Sequence, residues 1–160
     1  MIEIKSLKIL FSEVATEVNA ELSADSKRFS IQRVIVSPTE KHLVKKLGDK
    51  PGVSLAFKMP SIDSVIMDSD NYSEDNKMLF YVIEKIDPGQ FTDEQELDHY
   101  NAMQRLTSLL KMRLMNRLMG RDFCNEDTEL AKAFHTEFEF QEFGGWNGLS
   151  VSFDIKDFNL

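Results

Sequence analysis

One cysteine, Cys124, stands alone among the 160 residues, so no disulfide can form within the chain. A lone thiol of this kind fits a reducing compartment and is most often a buried small hydrophobe. No segment approaches the ~20 consecutive apolar residues of a membrane span. The N-terminal stretch "MIEIKSLKILFSEV" mixes charge with apolar residues and lacks the unbroken apolar core of a secretory signal. These absences predict a soluble, cytoplasmic protein with no membrane partner. Basic residues are scarce in the last quarter: residues 122–160 hold two against nine acidic ones, whereas residues 1–121 hold 17 and 18. A C-terminal surface of that sign repels phosphate, which argues against sequence-specific nucleic-acid binding there. No phosphate loop, dinucleotide fingerprint or nucleophile elbow is present. The expectation is a protein that is not an enzyme and holds no cofactor.

What is present is bulky. The chain is 42% hydrophobic and 29% charged, with twelve phenylalanines and eight methionines. At this length a single α+β domain over 1–160 is expected, burying roughly 70% of its unfolded surface. Leu7, Leu10, Phe11, Val14, Val18 and Leu22 recur at spacings of three and four, so residues 3–22 read as an amphipathic helix. "FSIQRVIV" (29–36) and "VSLAFKM" (53–59) read as strands, each closed by a proline, with a short helix ending at Gly48 between them. The polar stretch 60–77 reads as a long exposed loop that could hold a short strand. The near-continuous apolar run at 77–86 reads as a central strand covered on both faces. Thr92 and Gln95 have capping-box spacing, which starts a helix running to about Met119 and stopping at Gly120. Residues 122–133 read as a polar connector with one helical turn. Two period-two runs close the chain. Phe134, Thr136, Phe138 and Phe140 share one face of the first, and Leu149, Val151, Phe153 and Ile155 one face of the second. The sum is a mostly antiparallel sheet, two main helices packed on it, and a C-terminal β-hairpin.

Candidate chemistry is thin. Glu96-Leu97-Asp98-His99 has the Glu-x-x-His spacing of carboxylate-bridged metal helices but no second such pair, so it reads as a solvated first turn. "DSDNYSED" (68–75) resembles a calcium loop, but the two places that need Gly and Glu hold Ser73 and Leu79. His42, His99 and His135 fall on three different predicted elements, and a pairing of one of them with Cys124 would require proximity in space. The only tryptophan, Trp146, sits among Gly144, Gly145 and Gly148 in the hairpin connection. The glycines suit a turn with positive φ. The indole either folds back over the core or projects as a partner anchor. The long helix also carries more apolar residues than one sheet contact needs, and Met112, Met115 and Met119 form a candidate second stripe.

The aromatic arm 134–140, the "GW" turn and the closing "SVSFDI" resemble the ending of small neck and tail proteins of bacteriophages and prophages. Size, α+β order, acidic character and the lack of catalytic motifs are similar to the tail-terminator family. The resemblance implies a structural protein of virion assembly. Such proteins form a homo-oligomeric ring of about six copies that caps the tail tube and meets the head connector. On that reading Arg105, Met112, Arg113, Met115, Arg117 and Trp146 are candidate subunit-interface residues, with the arginines meeting acids of the next copy. Glu137, Glu139 and Asp154 would line a DNA-passing lumen. The main alternative is a small ligand-binding module with a pocket lined by residues such as Phe57, Phe80, Met103 and Phe138.

Overall fold

The periodicity of the first helix becomes packing directly. In the computed structural model, which describes residues 3–68, 71–119, 128–130 and 133–158, α1 spans Ile4–Glu21 and buries Leu7, Leu10, Phe11, Val14 and Val18 along one stripe. A 3₁₀ segment (Ala24–Phe29) leads into β1 (Ile31–Ser37). The Asn19 side chain ties the two together: it accepts from the Ile31 N–H at 2.8 Å and donates to the Ile31 carbonyl at 2.9 Å. α2 (Glu40–Leu47) starts at Thr39, whose hydroxyl accepts from the His42 N–H, and ends at Gly48 with φ +56°.

The stretch read as a loop is a strand pair. β2 (Val53–Asp68) and β3 (Asn71–Lys85) run antiparallel from Ser54↔Ile83 out to Asp68↔Asn71. Pro60 does not end β2, because it falls within a register shift between Lys58 and Ser61, where a missing N–H breaks no ladder bond. The polarity of 60–77 reflects a strand arm exposed along β2, at Ser61, Asp63 and Ser64, whose β3 side buries the polar Ser73, Glu74 and Asn76; Lys77 and Asp63 pair across it at 2.6 Å.

α3 (Asp93–Met119) begins with the expected capping box: Gln95 Oε1 accepts from the Thr92 N–H at 3.0 Å and Thr92 Oγ1 from the Gln95 N–H at 3.3 Å. β4 (Thr128–Leu130) lies within the connector expected to hold a helical turn, and it is strand instead. The rest of that connector, with Gly120 and Cys124, lies outside the described residues. β5 (His135–Gln141) and β6 (Trp146–Phe158) form the C-terminal hairpin.

The sheet order is β1-β2-β3-β6, with β4 and β5 both paired to the outer edge of β6. Only β1–β2 is parallel. The fold is α+β, with helices on an open, mostly antiparallel sheet.

Central strand β3 is buried on both faces. Met78, Phe80 and Val82 face α1 and α3, together with Leu55, Phe57, Leu149, Val151, Phe153 and Ile155. Tyr81 and Ile83 face the other way, into a smaller cluster under α2. In the larger core Phe11 stacks on Phe57 at 4.6 Å between centroids and meets Phe80 edge-on at 5.5 Å. Each such buried ring is worth roughly 2–3 kcal/mol of burial. Phe57, Phe80 and Met103 are fully buried in this packing, and Phe138 is 61% exposed at the sheet edge. Phe138 is therefore not part of that packed core.

Candidate functional site

The hairpin connection answers where the tryptophan goes. Gln141, Phe143, Gly144 and Gly145 all have positive φ (57°, 50°, 81° and 107°), a coil tight enough to reverse the chain within four residues. Asn147 stitches it: its Oδ1 accepts from the Gln141 N–H at 2.8 Å and its Nδ2 donates to the Gly145 carbonyl at 3.2 Å. Gly148 is required by close approach, because a Cβ there would sit 2.1 Å from the Val82 carbonyl oxygen of β3. The turn delivers Trp146 inward. Trp146 is 1% exposed and packs with Leu43, Leu47, Ala56, Tyr81 and Ile83, fixing α2 to the sheet. As an interface anchor it is thus corrected to a core residue.

Arg113 and Arg117 have acidic partners within the chain. Both turn to α1, which runs beside α3. Arg113 pairs with Glu21; Arg117 pairs with Glu17 and reaches Glu13 at 3.7 Å. The partners lie at the spacing of one helical turn on α1, so these pairs clamp the two helices together. Arg105 is exposed on the outward side of α3. Met112, Met115 and Met119 are exposed as well, at 44%, 37% and 72%. Their spacing of three and four puts them on one stripe.

Glu137, Glu139 and Asp154 share the sheet face opposite α1 and α3, as their pairing to Ser150, Gly148 and Lys77 dictates. Glu137 and Asp154 are exposed and Glu139 is half-buried. The face is not uniformly acidic. Lys77 stands opposite Asp154, and its ammonium is held above the usual lysine range by Asp63 first, with Asp154 and Asp75 adding. His135 Nε2 lies 3.1 Å from Glu137 Oε1. Negative charge is therefore concentrated toward β5 and diluted toward the strand arm.

Sequence reasoning missed one polar cluster. His99 is 2% exposed, not part of a solvated turn. Its Nδ1 lies 3.5 Å from Glu84 Oε2 on β3, and the Arg28 guanidinium lies 3.9 Å from the same oxygen. The rings of Phe29, Phe91 and Tyr100 surround the imidazole at 5.6–6.2 Å between centroids. Neither ring nitrogen has a hydrogen-bond partner among the described residues. Burial first, then Arg28, pushes His99 down to about 4, and burial raises Glu84 against the opposing pull of Arg28. Burial outweighs the mutual attraction of the pair because the contact is longer than a good hydrogen bond. The signal was in the spacing: His99 precedes Met103, Leu106 and Leu110 by four, seven and eleven, on the buried arc of α3. The cluster can hold a proton between two elements, but it is closed over by rings.

Among the described residues no three His, Cys, Asp or Glu side chains come together to hold a metal ion, and no helix is long and apolar enough to cross a membrane. No protein-family model matches the chain, and comparison with the curated proteins finds no significant match.

Proposed function

We propose that the protein is a structural subunit of a phage or prophage tail. It forms a homo-oligomeric ring that caps the tail tube and joins it to the head, assembling in the host cytoplasm and remaining in the virion. The observation that carries this reading is the open sheet. Among the described residues its outermost strand, β5, pairs with β6 alone and holds up Phe138 and Phe140, 61% and 57% exposed. Exposed, apolar edge strands are avoided in monomers and used in assemblies. The Met112–Met119 stripe adds a second apolar surface suited to a tube or connector protein. The resemblance of the C-terminal hairpin to neck and tail proteins supplies the biological setting.

Light scattering across a concentration series, with negative-stain imaging of the same samples, tests the ring. The expected result is a closed species of about six chains with a central opening. A strict monomer throughout that also fails to sediment with uncapped tail tubes would overturn the proposal.

A further inference from the structure

The segments that contain the two edges of the sheet differ in charge. The β1 edge belongs to a basic region: residues 24–50 hold seven Lys and Arg against three Asp and Glu. The C-terminal end of α2 lies over this edge, since Lys46 Nζ reaches the Val36 carbonyl of β1 at 2.5 Å. Arg33 on β1 bonds only neutral oxygens where it is placed, namely the Lys50 and Pro51 carbonyls and the Ser54 hydroxyl. The β5 edge belongs to an acidic region: residues 133–158 hold one basic and five acidic side chains. Four strand-to-strand steps separate β1 from β5, about 19 Å across the sheet at ~4.8 Å per step.

Strand directions fit this charge pattern. β1 and β2 are parallel, and each later step, β2 to β3, β3 to β6 and β6 to β5, is antiparallel. β5 therefore runs opposite to β1. If a second copy continues the sheet sideways, its β1 meets β5 in the antiparallel sense, the better-bonded arrangement, with the helical layers on the same side. Phe138 and Phe140 then lie on the same face as Val34 and Val36 of the neighbour, both of which are only half-buried in one chain. Glu137 and Glu139 lie on the same face as the neighbour's Arg33. The symmetric alternatives are worse. β5 against β5 sets Glu137 and Glu139 opposite their own copies, and β1 against β1 sets like basic regions together, and like charges directly opposite are destabilising.

We propose that the occupant of the β5 edge is the β1 edge of a second copy of this chain, so that the molecules join head to tail into one continuous sheet. This rests on the ring reading for its biological meaning, but its physical claim is narrower: which two surfaces meet. A heterologous contact of this kind gives a ring if the rotation closes and a filament if it does not.

Two charge variants test it. Glu137→Lys with Glu139→Lys reverses two of the five acids of the β5 region, and Gln32→Glu with Lys46→Glu moves the β1 region three charges toward negative. All four positions are exposed or half-buried, and circular dichroism checks that each variant folds. Mass is measured for wild type, each variant, and their equimolar mixture. The proposal expects assembly of wild type, association at least ~10-fold weaker in each variant alone, and recovery on mixing, because each new edge then finds its complement. Wild-type assembly that neither variant disturbs would overturn the proposal and leave the ring reading standing. A dimer lost in the β5 variant and not restored by mixing would identify a symmetric contact and also overturn it. Open filaments with the expected variant pattern would support the edge pairing and remove the closed ring. Monomers in every sample, mixture included, would remove both.

Discussion

His99 shows how a single residue couples burial to pH. In the folded chain it is held near 4, while the unfolded chain binds its proton at the ordinary value of about 6.5. A depressed folded value means that the stabilising difference is present in full above about pH 6.5 and is lost as pH falls toward 4. Glu84 acts with the opposite sign. Its folded carboxyl is raised, so the folded state takes up that proton first and gains stability as pH falls. Urea unfolding at pH 7, 5.5 and 4.5 should therefore show a loss that His99→Phe abolishes and Glu84→Gln steepens. A Glu84→Gln chain with a flatter profile than wild type would contradict the sign assigned to Glu84. At pH 7 the Phe variant should lie within about 1 kcal/mol of wild type, because the imidazole it replaces makes no hydrogen bond to a described residue.

At the scale of elements, ion pairs tie α1 to α3. Arg117 is about one-third exposed, as is its partner Glu17, so the pair is worth no more than about 1 kcal/mol. Arg117→Glu should cost about that much in stability, and the swap Arg117→Glu with Glu17→Lys should recover most of it. Neither variant should change the mass of the protein in solution. A mass change without a stability change would return Arg117 to the interface.

These elements also mark what the sequence discloses. Helix α3, its capping box and the hairpin's inward face are legible because capping spacing and strict alternation follow from geometry alone. The β2–β3 arm is hidden because its apolar Ile66 is 73% exposed while Ser73, Glu74 and Asn76, which it buries, are polar, so no apolar face writes alternation into the sequence. The partners of the arginines are hidden for a related reason. Residue type shows a charge, but the choice between Glu21 of the same chain and a carboxylate of another depends on helix packing that no local pattern encodes. His99 is the converse, legible from its arc on α3 once the helix is drawn and obscured by the acidic first turn around it.

The whole molecule has two cores but one sheet, which constrains how it can come apart. The larger core lies under α1 and α3, and the smaller holds Leu43, Leu47 and Trp146 under α2. β3 serves both through alternate residues, with Phe80 and Val82 on one side and Tyr81 and Ile83 on the other. Removing α2 would expose the second face of the central strand. Losing the larger core would release β3, on which Trp146 and its cluster rest. Neither half has a sheet of its own, so the two should melt as one cooperative unit. Trp146, the only indole, reports the smaller core by fluorescence, while far-ultraviolet circular dichroism follows the helices, most of whose residues lie over the larger one. The two urea transitions should coincide. Leu47→Ala, a deletion in the smaller core, should move both midpoints together at a cost of about 2–4 kcal/mol. A fluorescence transition that precedes the dichroism change would mean that α2 and the hairpin turn detach first. The shared strand would then not be enough to couple the two faces.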